Sequence, residues 1–203
     1  MKKLLPFVLV ITTASLLSGC TFIFQKGRRV DVEKISKLQT QLSDMDRAKK
    51  ELEDKLNKEI GDKDVKVEML DKGLTITFVA EVLFDSGKAD LKETAKDKLL
   101  KVADVLNSTA KDYRIGIEGH TDNEPIKHSG WKSNWELSAH RALGVLHYLI
   151  DNGSLEPTRV SAIAYGEFHP VMSNDDKAGR QKNRRVEIVI LPKDVKKVKA
   201  NGE

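Results

Sequence analysis

Two short runs carry the residues best suited to chemistry, Gly119-His120-Thr121-Asp122-Asn123 and Asn134-Trp135-Glu136-Leu137-Ser138-Ala139-His140-Arg141-Ala142. The first closes an apolar stretch with a carboxylate. The second opens an amphipathic stretch and presents a guanidinium about two turns in. Asp122 offers an anion to an ammonium group, and Arg141 offers a planar fork that matches a carboxylate bidentately. Together they suit a small zwitterion. Catalytic chemistries fit less well. Glu118, His120, Asp122 and His128 are of types that bind zinc, yet no His-x-x-x-His pair sets two ligands on one helix face. Ser138 and His140 stand two residues apart, so on a helix they point away from each other and form no dyad. Gly116, Gly119 and Gly130 do not make a phosphate-cradling pattern. The chain is therefore expected to bind rather than catalyse, with no cofactor and no metal.

These residues need a scaffold, and the hydrophobic pattern supplies one. Val65, Val67 and Met69 alternate with charged residues, Asp71-Lys72-Gly73 turns, and Leu74, Ile76 and Phe78 alternate with Thr75, Thr77 and Val79, a hairpin. Val82-Leu83-Phe84 is apolar, and Asp85-Ser86-Gly87-Lys88 is a loop. A helix is expected from Ala89 or Asp90, with Leu91, Ala95, Leu99, Val102 and Leu106 on one face. Arg114 to Glu118 reads as a buried strand and His120 to Lys132 as a long loop. Ser133-x-x-Glu136 is a capping box. The helix it opens packs through Leu137, Leu143, Leu146 and Ile150 and stops at Asn152-Gly153. Val160 to Tyr165 is a strand, Met172 to Lys182 a polar loop, and Arg185 to Leu191 the last strand. This βαβαβ order with a closing strand predicts an α/β (α+β) domain, its helices packed on a mixed sheet.

Ahead of that domain, Ile35, Leu38, Leu42, Met45, Leu52 and Leu56 recur at heptad-like intervals, with Lys49 in one seam position. The seam is expected either to self-associate or to lie against another protein, the alternative being a solvated spacer. Earlier still, Met1-Lys2-Lys3 and the apolar run from Leu4 to Leu17 have the form of a secretory signal. The run is short for a membrane span of about 20 residues. Leu17-Ser18-Gly19-Cys20 resembles the bacterial lipobox, in which the cysteine becomes the lipidated first residue. More than one acyl chain makes such anchoring stable. Cys20 is the only cysteine, so no disulfide forms within the chain. The expected organisation is signal peptide 1–19, lipidated terminus and linker 20–29, coiled-coil-like helix 30–60, domain 64–192 and polar tail 193–203. A net charge of +4 spread over interspersed signs does not describe a nucleic-acid surface.

Five blocks of the domain resemble the OmpA-like peptidoglycan-binding family. They are Val82-Leu83-Phe84-Asp85-Ser86-Gly87-Lys88-Ala89-x-Leu91, Glu118-Gly119-His120-Thr121-Asp122-Asn123, Asn134-x-x-Leu137-Ser138-x-x-Arg141-Ala142, Tyr165-Gly166-Glu167, and Gly179-Arg180-x-x-Asn183-Arg184-Arg185-Val186-Glu187-Ile188. The long loop from Glu124 to Lys132 is similar to that of flagellar stator proteins of the MotB kind. Lipobox, coil and domain together look more like Pal and other outer-membrane lipoproteins. The resemblance implies reversible, non-covalent binding of the peptidoglycan stem peptide through diaminopimelate. Asp122 and Arg141 would grip the free amino-carboxylate end. Asn134, Thr121, Leu137, the Asp85-Ser86 loop and one of Arg184 and Arg185, preferably Arg184, would complete the site. Trp131 and Trp135 would either pack the loop or stack on sugar. With Thr21 after the cysteine, the expected setting is the outer membrane, facing the periplasm, as a tether to the cell wall. A stator-like wall anchor and a metal-dependent hydrolase are the alternatives; a stator would need a membrane span bearing an acid.

Overall fold

The computed structural model describes residues 31–127 and 130–193. The expected signal peptide, Cys20 with its lipid, His128 and the tail from 194 onward lie outside the described residues. The chain divides into two compact units, and within the described residues these are 31–42 and 43–193.

Residues 31–42 of the first unit are helical, and so, in the second unit, are residues 43–55 (α1). In the first unit Val32, Ile35, Leu38 and Leu42 are exposed. In the second, Met45, Ala48, Leu52 and Leu56 are buried in the domain core. The expected seam is thus divided, and its second half belongs to the domain rather than to a free-standing helix ending at 60. The packing explains this. Thr109 Oγ1 donates to Glu51 at 2.8 Å, and Tyr113 OH donates to Asp44 at 3.2 Å. Ala48, not Lys49, occupies the buried position, and Lys49 turns out to pair with Glu53. Helix α2 (Asn57–Gly61) continues this segment, and its buried Glu59 pairs with Lys101 at 3.0 Å.

The sheet has five strands: β1 (Val65–Leu70), β2 (Gly73–Val79), β3 (Arg114–His120), β4 (Val160–Gly166) and β5 (Arg185–Leu191). Their order is β1-β2-β5-β3-β4, with β3 and β4 parallel and every other pair antiparallel. The sheet is mixed, as the element order predicts. Alternation sends Leu74, Ile76, Phe78, Ile115, Ile117, Val186, Ile188 and Ile190 into the core. Helices α4 (Glu93–Asn107) and α5 (Asn134–Asp151) cover that face through Leu99, Val102, Leu106, Ala142, Val145 and Leu149. Two short helices, α3 (Ala80–Leu83) and α6 (Lys177–Asn183), flank the sheet. Among the described residues no helix is long and apolar enough to cross a membrane.

Three elements depart from the sequence reading. Helix α4 starts at Glu93, not at Ala89 or Asp90, because Leu91 pairs with Phe84 in an isolated bridge and Lys92 N–H donates to Leu83 O. The segment from 84 to 91 is thereby closed into a loop, with a turn at Ser86-Gly87 in which Lys88 N–H donates to Asp85 O. Helix α5 buries Asn134, Leu137, Ser138, Arg141, Ala142, Val145 and Leu149, whereas Leu143 is exposed. Three polar residues lie on the buried stripe, so a reading by hydrophobicity rotates the face. Helix α6 occupies most of the expected 172–182 loop. It has no apolar period, but Asp176 caps it by accepting from Gly179 N–H at 2.6 Å.

Candidate functional site

Helix α5 is brought to β3 by a missing side chain. A Cβ on Gly119 would lie 2.1 Å from the Ser138 carbonyl oxygen. Ser138 completes the junction, its hydroxyl donating to Trp135 O at 2.9 Å and accepting from Gly166 N–H at 3.0 Å. That hydroxyl is a clamp between α5 and β4, not a nucleophile. The cap of α5 forms as expected, with Ser133 Oγ accepting from Glu136 N–H. The reciprocal bond from Glu136 goes one residue earlier, to Lys132 N–H at 2.6 Å.

A cavity of about 810 Å³ opens where these elements meet. Asp85, Ser86, Thr121, Asp122, Asn134, Leu137, Arg141 and Arg184 all line it. The eight residues singled out from sequence therefore share one pocket. Arg141 comes from the first half of α5 and is only 4% exposed. Its Nε donates to Lys88 O at 3.0 Å, and its guanidinium carbon stands 5.3 Å from the Phe84 ring centroid. Among the described residues no carboxylate pairs with it. Burial pulls its pKa down to about 10, with Arg184 acting in the same direction and Glu81 and Asp122 acting against them. It is a desolvated cation whose fork has a use for an incoming anion.

Asp122 is less free than its sequence context suggests. One oxygen accepts from Arg184 Nη1 at 2.6 Å and the other from Glu124 N–H at 3.3 Å. Arg184 also donates from Nε to Glu81 at 2.7 Å, and its Nη2 makes a second, shorter contact with the same oxygen. Burial opposes the Arg184 charge, but the two carboxylates outweigh it and raise its pKa. The other Glu81 oxygen is buried without a partner among the described residues. Glu81 lines the pocket and was not anticipated. Its signal was an acid inside the apolar run from Phe78 to Phe84.

Asn134 acts as a tie. Its Nδ2 donates to Asp122 O, Glu124 O and Glu167 Oε2 at 3.3, 3.1 and 2.6 Å. Asp85 and Ser86 stand exposed at the rim. Because α4 begins at Glu93, their loop does not lead directly into that helix. Trp131 packs the long loop down, its Nε1 donating to Gly87 O at 2.8 Å while its ring meets His140 at 4.5 Å.

Other candidates lie elsewhere. His120 and Arg185 are buried on the sheet face away from the core, beside Glu118 and Glu187. His120 stacks on Tyr165 at 5.0 Å. Ligand atoms of Glu118, His120 and Glu187 gather within 4.8 Å of one another. Lys72 Nζ bridges the two carboxylates, however, and Arg185 pairs with Glu187. This is not the anticipated zinc set, since Asp122 turns into the pocket and Glu187 takes a place in the cluster.

Comparison with known proteins gives a consistent picture. The family profile described as the OmpA family matches residues 83–184. Motility protein B of Bacillus subtilis (strain 168) is 42% identical over 129 residues, covering 64% of this chain and 49% of its own. The chain thus spans about half the length of that relative. The uncharacterized protein YtxE of the same organism is 34% identical over 171 residues, covering 81% of this chain and 70% of its own. Among solved structures, the cell wall anchor of the T6SS from Pseudomonas aeruginosa superposes with a TM-score of 0.63 at 31% identity, covering 70% of this chain and 97% of that one.

Proposed function

The chain belongs to the OmpA family, and from that premise we propose that its pocket grips the diaminopimelate end of a peptidoglycan stem peptide without covalent chemistry. One observation carries the reading. Arg141 is a buried guanidinium, fixed by Lys88 O through Nε, in a cavity where no described carboxylate neutralises it. A ligand carboxylate would gain charge-assisted hydrogen bonds worth about 1.5–3 kcal/mol each there. Asp122 and Glu81, already aligned by Arg184, supply negative charge for the ligand ammonium. Thr121 Oγ1, buried without a partner among the described residues, adds a polar contact. Leu137 gives the pocket an apolar wall.

The grip serves a tether. Acyl chains on Cys20 hold one end at the outer membrane, the domain faces the periplasm, and the chain between them gives reach. The exposed stripe Val32, Ile35, Leu38 and Leu42 supports pairing with a second copy. Binding of the detergent-solubilised full chain to purified peptidoglycan sacculi is the test. Asp122→Ala and Arg141→Ala should abolish it while circular dichroism stays unchanged; retained binding rejects the site.

A second reading is a wall anchor for an inner-membrane complex. It is favoured by the 42% identity to motility protein B. Density-gradient fractionation of envelopes separates the two, since the tether travels with outer membrane and moves to the soluble fraction in Cys20→Ala.

A further inference from the structure

The pocket makes no use of an aromatic pair built beside it. Trp135 follows Asn134, and Phe168 follows Glu167, the residue whose carboxylate accepts from Asn134. The two rings stack at 5.2 Å with 24° between their planes. Even so, Trp135 is 47% and Phe168 60% exposed. Their support is firm. Trp135 rests on Gly166, where an added Cβ would come within 3.4 Å of the indole. Phe168 N–H donates to Tyr165 O. Farther along the same loop, fully buried Asn183 accepts from the N–H groups of Val171 and Met172 and donates to Met172 O. The loop that carries Phe168 is thus tied down at Phe168 and again at Val171 and Met172, while both rings stay exposed to water.

We propose that the Trp135–Phe168 pair is a saccharide subsite that receives a pyranose face of the glycan strand while the pocket holds the stem peptide. The proposal rests on the pocket reading above. An aromatic face carries negative charge density, and the axial C–H bonds of a pyranose present partial positive charge, so the sugar lies flat on the outer ring. Reach agrees with this. The platform begins one residue beyond the pocket wall, and about three residues of extended peptide span about 10 Å. A short stem has about that reach between its gripped residue and the sugar that bears it. Size argues against a protein partner. Two partly exposed rings fall well short of the ~800 Å² per side that a specific protein interface takes.

Isothermal titration of the detergent-solubilised full chain tests this with two probes, a disaccharide-tripeptide muropeptide ending in diaminopimelate and the same tripeptide without sugar. The wild type should bind the muropeptide about tenfold more tightly than the peptide. Phe168→Ala should erase that difference and leave peptide affinity alone, and Phe168→Tyr should preserve it. Equal wild-type affinities, or equal losses for both probes in Phe168→Ala, overturn the subsite and leave the pocket reading standing. Failure of the wild type to bind the sugar-free peptide overturns the pocket reading, and this one with it. Self-association that Phe168→Ala abolishes marks the patch as a contact between copies and also overturns the proposal.

Discussion

Replacing Arg141 by Met should remove wall binding without destabilising the domain. Methionine keeps the length of the stem but deletes the buried charge and its attraction to the Phe84 ring. The cost of holding that charge follows from the pKa, pulled down from 12.5 to about 10 chiefly by burial. A shift of that size corresponds to about 3 kcal/mol of penalty on the folded, protonated form. The sign is that of a depressed cation: the penalty applies in full at neutral pH and is relieved only as pH rises through the window between the two values. Against it stand the lost Nε hydrogen bond to Lys88 O, worth about 1.5–3 kcal/mol, and a contact with the Phe84 ring of about 0.5–1 kcal/mol. The terms nearly cancel. The melting temperature by calorimetry should therefore stay within about 3 °C of wild type. Affinity for the tripeptide should fall more than about a hundredfold, because two charge-assisted bonds go together. A fall in melting temperature beyond about 6 °C would refute the view of Arg141 as a ligand-seeking cation and make it a structural residue.

Three further outcomes are expected. Gly119→Ala forces a methyl group onto the Ser138 backbone and should cost about 2–3 kcal/mol in urea denaturation, with wall binding lost because α5 shifts. Asn183→Ala orphans the N–H groups of Val171 and Met172; it should cost about 1–3 kcal/mol and speed hydrogen exchange in residues 171–174. His120 is held neutral because burial outweighs the nearby Glu118 and Glu187 carboxylates, so its pKa lies below 6.5. The unfolded chain then binds the proton first, and stability should decline as pH falls below 6.5 toward the folded value. That part of the decline should be missing in denaturation curves of His120→Gln.

Much of the fold was legible because strand alternation and helix period report burial directly. β5 could be read from Val186, Ile188 and Ile190 at every second position, with Arg185 and Glu187 alternating with the first of them. Helix α5 was found but rotated, since Asn134, Ser138 and Arg141 lie on its inner stripe and hydrophobicity alone counts them as outer. Helix α6 was missed because seven residues held by a capping aspartate carry no apolar period. The seam from Ile35 to Leu56 was read as one feature, yet its residues meet different surroundings from Met45 onward, which no local pattern records. The pocket residues were legible as motifs, but the pairing of Asp122 with Arg184 was not. It joins residues 62 positions apart, and only the β3–β5 register brings them together. Glu81 joined the site the same way, through a partner 103 positions distant.

The ties at the two ends of the 124–132 loop make it a place for variation. Asn134 fastens the loop start at Asp122 and Glu124, and Trp131 fastens its end to Gly87. Between those anchors, added residues meet mainly the entropy of closing a longer ring, about 0.6 kcal/mol for each doubling of length. Pro125, Ile126 and Lys127 line the mouth of the pocket, whereas the anchoring bonds are made by residues on either side of them. Changes at 125–127 would therefore reshape the pocket mouth while leaving the anchoring bonds on either side in place.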